Sequence, residues 1–116
     1  MRVAVFGQRT DGISQYIPDD ADEMVLGEDG AGAAAQEWAD LNGMPKIVIR
    51  QGKSISREKC AELIIEIADM AVAIWDGRCE ITRRYILLAQ KKGKPMKVIR
   101  LLSNNVRAAI EIHSQK

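Results

Sequence analysis

Histidine is almost missing from this chain, and cysteine is scarce. His113 stands alone near the C-terminus, and Cys60 and Cys79 are too far apart in sequence to form a C-x-x-C pair. Metal sites draw on three or four converging His, Cys or carboxylate ligands. Neither a metal site nor a resident cofactor is therefore expected. Two separated thiols fit a reducing compartment better than a disulfide framework. Long apolar runs are missing too. The longest, Met70–Trp75, is far too short to span a bilayer. The apolar run at residues 3–6 stops at Gly7 and is too short for a signal-peptide core. The expectation is a soluble, cytoplasmic protein with no membrane partner. No linker, low-complexity run or internal repeat divides the 116 residues, a length that suits one domain.

Charge is balanced overall but not along the chain. Residues 1–40 carry two basic and nine acidic groups; residues 41–116 carry fifteen and seven. Between Arg78 and Arg100 there are eight basic residues and one acid, Glu80. Such a run either meets nucleic acid or forms a solvated helix face that offsets the acidic half. The solvated face is the favoured reading, and nucleic acid is disfavoured as a partner.

Short apolar runs followed by a turn signal and a helical period repeat along the chain. Strands are expected at residues 2–6, 23–26, 46–50, 70–75 and 96–101. The fourth, M-A-V-A-I-W, does not alternate, as befits a strand buried on both faces. A short helix is expected around residues 12–16, ended by Pro18. A helix over residues 31–41 places Ala31, Ala34, Ala35, Trp38 and Leu41 on one face, with Asn42-Gly43 as its stop. Ser56 caps a helix reaching about residue 68, whose apolar face holds Cys60, Leu63, Ile64 and Ile67. Cys60 is read as core on that ground. A helix over residues 80–92 puts Ile81, Tyr85 and Leu88 on one side. A last helix, capped by Ser103, is expected to carry Val106, Ala109 and Ile110. Strands alternating with helices imply βαβ units and a parallel sheet with right-handed crossovers. Residues 1–102 then form the ligand-binding domain, and residues 103–116 a helix packing on it or on a partner subunit. Ile86, Leu87, Val106 and Ile110 exceed what one buried face per helix requires, so a homodimer is expected.

In an open parallel sheet, ligands bind beyond the carboxyl ends of the strands. Three segments fall there. Gly7-Gln8-Arg9-Thr10 follows the first strand; its glycine allows close backbone approach, and Arg9 can fork onto a phosphate. Gly27-Glu28-Asp29-Gly30-Ala31-Gly32 runs into a helix N-terminus, which suits an anion. Its spacing is neither G-x-G-x-x-G nor a Walker A loop. Glu28 and Asp29 would repel a phosphate beside them but could take ribose hydroxyls. Trp75-Asp76-Gly77-Arg78-Cys79-Glu80-Ile81-Thr82 is the third. There Asp76 can orient a sugar hydroxyl and Arg78 and Thr82 can hold phosphate; alternatively Asp76 caps a turn and Arg78 is solvated. Cys79 lies near a helix start, where a thiol pKa can fall. Trp38 and Trp75 are read as core rather than base-stacking platforms.

Together these segments resemble the SLOG superfamily, which includes the "lonely guy" phosphoribohydrolases and DprA-type proteins, and most of all its small stand-alone bacterial members. Val5-Phe6-Gly7-Gln8-Arg9-Thr10 is similar to V-x-G-S-R-T, and Gly27 to Gly32 followed by Trp38-Ala39 is similar to G-G-A-x-G-x-D before an alanine-rich helix. Ala68-Asp69, Ala73, Trp75-Asp76-Gly77 and Thr82 match A-D-x-x-x-A-x-W-D-G-x-S-x-G-T, and Gly93-Lys94-Pro95 with Val98 matches G-K-P-x-x-V. The resemblance covers about residues 2–100. It implies a Rossmann-like three-layer α/β domain with a five-stranded parallel sheet in the order 3-2-1-4-5, and a pocket for a nucleotide or nucleotide-derived molecule. The pocket residues it and the strand ends imply are Gly7, Gln8, Arg9, Thr10, Gly27, Gly30, Asp76, Gly77, Arg78, Cys79 and Thr82. The chain departs from the pattern at several positions. Leu26 replaces the first glycine and Gly32 an aspartate. Cys79 replaces a serine, Ile81 a glycine, and Tyr85 the glutamate of the hydrolytic members. Arg57 stands nearest the family's arginine before the fourth strand, at longer spacing and with no asparagine after it.

Binding or sensing of a nucleotide-like small molecule is the leading reading. One alternative is an enzyme acting on an N-glycosidic bond. It needs a carboxylate near the sugar, for which Glu28, Asp29, Asp76 and Glu80 are the candidates; the loss of a glutamate at Tyr85 weighs against catalysis. The other alternative is a nucleic-acid-associated protein using Arg83, Arg84, Lys91, Lys92 and Lys94.

Overall fold

The computed structural model describes residues 1–101 and, at the level of the backbone, residues 109–114. Strand β1 (Arg2–Gly7) lies in the middle of the sheet. A 3₁₀ helix (Ile13–Tyr16) leads to β2 (Glu23–Leu26), then come α1 (Ala31–Asn42) and β3 (Lys46–Val48). The chain returns through α2 (Arg57–Ile67) to β4 (Met70–Trp75) on the other side of β1, and continues through α3 (Glu80–Lys91) to β5 (Met96–Leu101). These five strands are parallel, in the order β3-β2-β1-β4-β5. The fold is Rossmann-like, with its topological switch between β1 and β4, where Gly7 is in register with Ile74.

Two cores explain why β1 and β4 read as continuous apolar runs. Val3, Val5, Met24, Leu26, Val72, Ile74 and Ile99 pack on one face of the sheet with the 3₁₀ helix and α1. Ala4, Phe6, Val25, Ala71, Ala73, Met96 and Val98 pack on the other with α2 and α3. Successive side chains point to opposite faces, so a strand covered on both sides must be apolar at every position. Each fully buried valine or isoleucine contributes roughly 1.5–3 kcal/mol. The alanines of α1 at 31, 34, 35 and 39 are buried, and their small side chains let that helix lie close on the sheet. Ser56 caps α2 by accepting the Lys59 N–H at 3.1 Å, as its position predicts. Among the described residues, no helix is long and apolar enough to cross a membrane.

Several expectations are corrected. Leu41 is 88% exposed, and Ala39 takes the buried position near the end of α1. Ile81 is 46% exposed, and α3 instead buries Thr82, Ile86 and Ala89. Ile86 thus belongs to the core and gives no surplus apolar surface for a dimer; Leu87, 45% exposed, does. β3 is shorter than the apolar run at 46–50 suggests. The largest difference lies at the C-terminus. Ala109 and Ile110 do not continue a helix: Ala109–Ser114 form β6, antiparallel to β5, with Val98 opposite Ile112 and Arg100 opposite Ile110. Within β6, Ile110-Glu111-Ile112-His113 alternates apolar and polar with period two, and that period suits an edge strand with unlike faces. Ser103 and Val106 lie outside the described residues.

The sheet's carboxyl edge depends on backbone that only glycine supplies. Gly7 has φ +109°, and a Cβ there would collide with the Ile74 carbonyl oxygen. Gly30 has φ +59°, and its Cβ would collide with the Gly7 carbonyl oxygen. By contrast Gly43, the left-handed stop of α1 at φ +66°, faces open space. Replacing Gly43 by alanine is therefore expected to cost about 1–2 kcal/mol, the left-handed penalty alone. Gly7→Ala and Gly30→Ala should each cost more than about 3 kcal/mol, because strain adds to a backbone collision. Urea unfolding midpoints of the three variants measure this order.

Candidate functional site

A cleft of about 360 Å³ opens at the carboxyl ends of β1, β2 and β3, on the face covered by α2 and α3. Its apolar floor is Val5, Phe6, Ile49 and Ile64. The turn after β1 contributes Gly7 and Gln8, and the β2–α1 loop contributes Gly27, Glu28, Asp29, Gly30 and Gly32. Gln51, Arg57 and Cys60 close one side, and Cys79, Ile81, Thr82 and Tyr85 the other. The first turns of α1, α2 and α3 all border this space. Their positive dipole ends favour negative charge there.

The glycine loops are built backbone on backbone. Gly32 sits so close to Gly27 that a Cβ would come within 2.9 Å of the Gly27 carbonyl oxygen. The Gln36 side-chain amide donates to that same oxygen at 2.8 Å. The G-x-x-G-x-G spacing therefore has a local cause: Gly30 turns the chain, and Gly32 allows the close approach.

Six residues expected in the pocket line this cleft: Gly7, Gln8, Gly27, Gly30, Cys79 and Thr82. Arg9, Thr10, Asp76, Gly77 and Arg78 do not. After Gly7 the chain turns toward α1, and the Arg9 guanidinium pairs with Glu37 of that helix at 2.7 Å. Asp76 is used inside its own turn. Its Oδ1 accepts the N–H groups of Arg78 at 2.7 Å and Cys79 at 2.9 Å. Those hydrogen bonds to the ionised form hold its carboxyl below the usual aspartate range. The Asp76 N–H donates to the Gln8 side-chain oxygen at 2.6 Å, tying the turn after β4 to the turn after β1. Arg100 donates to the Asp76 carbonyl and to the Leu101 carbonyl, which fixes its guanidinium against Gly77. Arg78 is exposed. The Trp75 indole N–H donates to the Cys79 carbonyl at 3.0 Å, a structural role in keeping with the reading of both tryptophans as packing residues.

Four residues carry polar chemistry in the cleft without having been singled out as binding groups. Gln51 and Cys60 had no such reading at all. Arg57 entered only through a loose resemblance, and Tyr85 only as a missing glutamate. The available signal was topological: α2 begins at the same sheet edge as α1 and α3, so its first turn faces the same space. Of the four carboxylate candidates for glycosidic chemistry, Glu80 pairs with Arg83 at 3.3 Å and Arg84 at 3.7 Å. Glu28 accepts the Gln51 N–H at 2.7 Å and faces Arg50 at 3.6 Å, and Asp76 is bound as described. Asp29 alone of the four lines the cleft with its carboxylate unengaged among the described residues.

The two thiols differ. Burial pushes the Cys60 thiol up, with Glu28 adding to the effect. Cys79 occupies the N-cap of α3. The Thr82 hydroxyl and backbone N–H, and the Ile81 N–H, favour its thiolate and lower its pKa. Burial between Phe6 and the helices raises the Tyr85 phenol, with Cys60 and Asp29 adding to the rise and Arg57 opposing it. The Phe6 and Tyr85 ring centroids are 4.8 Å apart. Among the described residues no group of three or more His, Cys, Asp or Glu is placed to hold a metal ion. In comparisons with protein-family models, curated proteins and solved structures, nothing matches this chain.

Two outcomes follow from this geometry. Brief iodoacetamide treatment at pH 7.5 should alkylate Cys79 and spare Cys60, as read by peptide mass spectrometry; equal labelling would contradict the assigned environments. Asp76→Ala should lower stability by about 1–2 kcal/mol, and Asp76→Asn by less, since its Oδ1 accepts the same two N–H groups. Because the folded pKa of Asp76 is depressed, its contribution is complete above the ordinary carboxylate pKa and is lost as pH falls through the folded value. Denaturation midpoints from pH 7 to pH 3 should therefore fall more steeply for the wild type than for Asp76→Asn.

Proposed function

We propose that the protein binds a nucleotide or nucleotide-derived small molecule in the cleft at the carboxyl edge of its sheet. The observation that carries this reading is the convergence of three helix first turns and two glycine-built loops on one concave space beside the topological switch. Open α/β sheets bind ligands at that position. Its volume lies at the small end of the range for ligand pockets. Glycine backbone lining the cleft offers N–H donors to phosphate or carboxylate oxygens, and the apolar floor of Val5, Phe6, Ile49 and Ile64 suits a base or sugar face. The resemblance to SLOG domains supports the same ligand class. The function is binding or sensing rather than hydrolysis, since Tyr85 stands where the hydrolytic members have their glutamate.

A ligand that binds only the folded state raises the melting temperature by mass action. At a hundred times its Kd it adds about 2.7 kcal/mol, a shift of about 10 °C for a domain of this size. A thermal-shift panel of nucleoside monophosphates, dinucleotides and ADP-ribose should contain at least one compound that does this. Gly27→Leu, whose side chain would enter the cleft from a position without a positive φ, should abolish the shift. Arg9→Ala should retain it, because Arg9 is held on the other face by Glu37. A panel without any shift, or a shift that survives Gly27→Leu, would overturn the reading.

A further inference from the structure

Three charged side chains line the cleft, and one of them, Glu28, is paired within the protein, facing Arg50 at 3.6 Å. The other two, and one phenol beside them, are not. The Asp29 carboxylate, the Arg57 guanidinium and the Tyr85 hydroxyl have no hydrogen-bond or ion-pair partner among the described residues. They belong to three different elements: the β2–α1 loop, the first residue of α2 and the second turn of α3. They nevertheless border one cleft. Asp29 and Arg57 act on the Tyr85 phenol with opposite sign.

We infer that Asp29, Tyr85 and Arg57 form a bipolar recognition line for a ligand with an anionic group at one end and hydroxyl or amino donors at the other. This inference rests on the proposed ligand-binding role of the cleft and assigns the ends of the ligand within it. Arg57 presents a fixed positive charge with several donors, next to the positive end of α2, and takes the anion. Asp29 can only accept hydrogen bonds when ionised, so it takes donors, such as a sugar diol. Tyr85 lines the same cleft with its ring held on Phe6 at 4.8 Å, and its neutral hydroxyl donates to the linking oxygen. Such a line disfavours two kinds of ligand. A purely anionic compound meets the Asp29 carboxylate, and an uncharged one leaves Arg57 unused. A sugar phosphate or nucleoside monophosphate satisfies all three groups.

The test pairs side-chain changes with ligand truncation. AMP, adenosine, 2′,3′-dideoxyadenosine and ribose 5-phosphate are titrated calorimetrically into wild type, Arg57→Ala, Arg57→Lys, Asp29→Asn and Tyr85→Phe. Circular dichroism verifies that each variant is folded. Arg57→Ala should weaken AMP at least tenfold and leave adenosine unchanged, with Arg57→Lys intermediate. Asp29→Asn should weaken AMP and adenosine about fivefold and leave the dideoxynucleoside unchanged. Tyr85→Phe should weaken AMP and ribose 5-phosphate several-fold. If AMP binds wild type and all variants alike, or if Arg57→Ala weakens AMP and adenosine equally, the inference fails while the nucleotide reading stands. If ribose 5-phosphate alone binds, with the stated dependence on Arg57 and Tyr85, the inference stands and the nucleotide reading fails. If none of the compounds binds wild type, the inference falls, and the nucleotide reading falls with it only when the wider thermal-shift panel also gives no shift.

Discussion

The structure depends on a backbone-to-backbone contact at the end of β1. There the chain must leave the sheet between β2 and β4, its parallel neighbours on either side. Gly7 turns out at φ +109° with no room for a side chain against Ile74, while the following Gln8 N–H still reaches the Ile74 carbonyl at 2.8 Å. Gly30, the first residue before α1, packs its own Cα against the Gly7 carbonyl. The start of α1 is therefore set by the end of β1, not by a side-chain cap, of which it has none. This contact brings the first turn of a helix from one face of the sheet to the rim of a cleft on the other.

The same constraint explains how polar groups are divided. Side chains next to the strand ends at the switch point serve the scaffold. Gln8 bonds the Asp76 N–H, Asp76 bonds the next two free N–H groups of its turn, and Arg100 holds the Asp76 carbonyl from below. A turn with its polar atoms satisfied internally loses little entropy when a ligand arrives, which favours a preformed site. The groups left for a ligand come from further away: the β2–α1 loop and the two helices that pack over the cleft.

The sequence made the parallel core legible because its signals were redundant. Five apolar runs, each stopped by a turn residue and followed by a helical period, leave few ways to arrange the chain. The resemblance gave the strand order found in the structure. Helix faces were harder. In α1 the buried side is lined by alanine, so Leu41 drew attention as the larger apolar residue although it lies off the packed face. In α3, Ile81 and Tyr85 share their side with the cleft, not with the deepest core, and an apolar residue at a pocket rim has the same pattern as one in a core. At the C-terminus Ala109 and Ile110 fit a helical period, and the period-two signal of the strand is only four residues long, Ile110 to His113.

The candidate site was legible as a region but not as a set of side chains. Gly7, Gly27 and Gly30 line the cleft where the sequence places turns, because backbone geometry is local and a turn residue announces it. Arg9 and Asp76 illustrate the opposite case. Each has the right chemistry at a strand end, and each finds a partner within the fold: Glu37 on α1, and the N–H groups that begin α3. A charged residue close to a strand end competes with its own turn for that residue's hydrogen bonds, and the turn is always present whereas the ligand is not. The side chains best placed for recognition are then those whose own neighbourhood offers nothing to bond, which is why Arg57 at the head of α2 carries more weight than Arg9 beside the glycine.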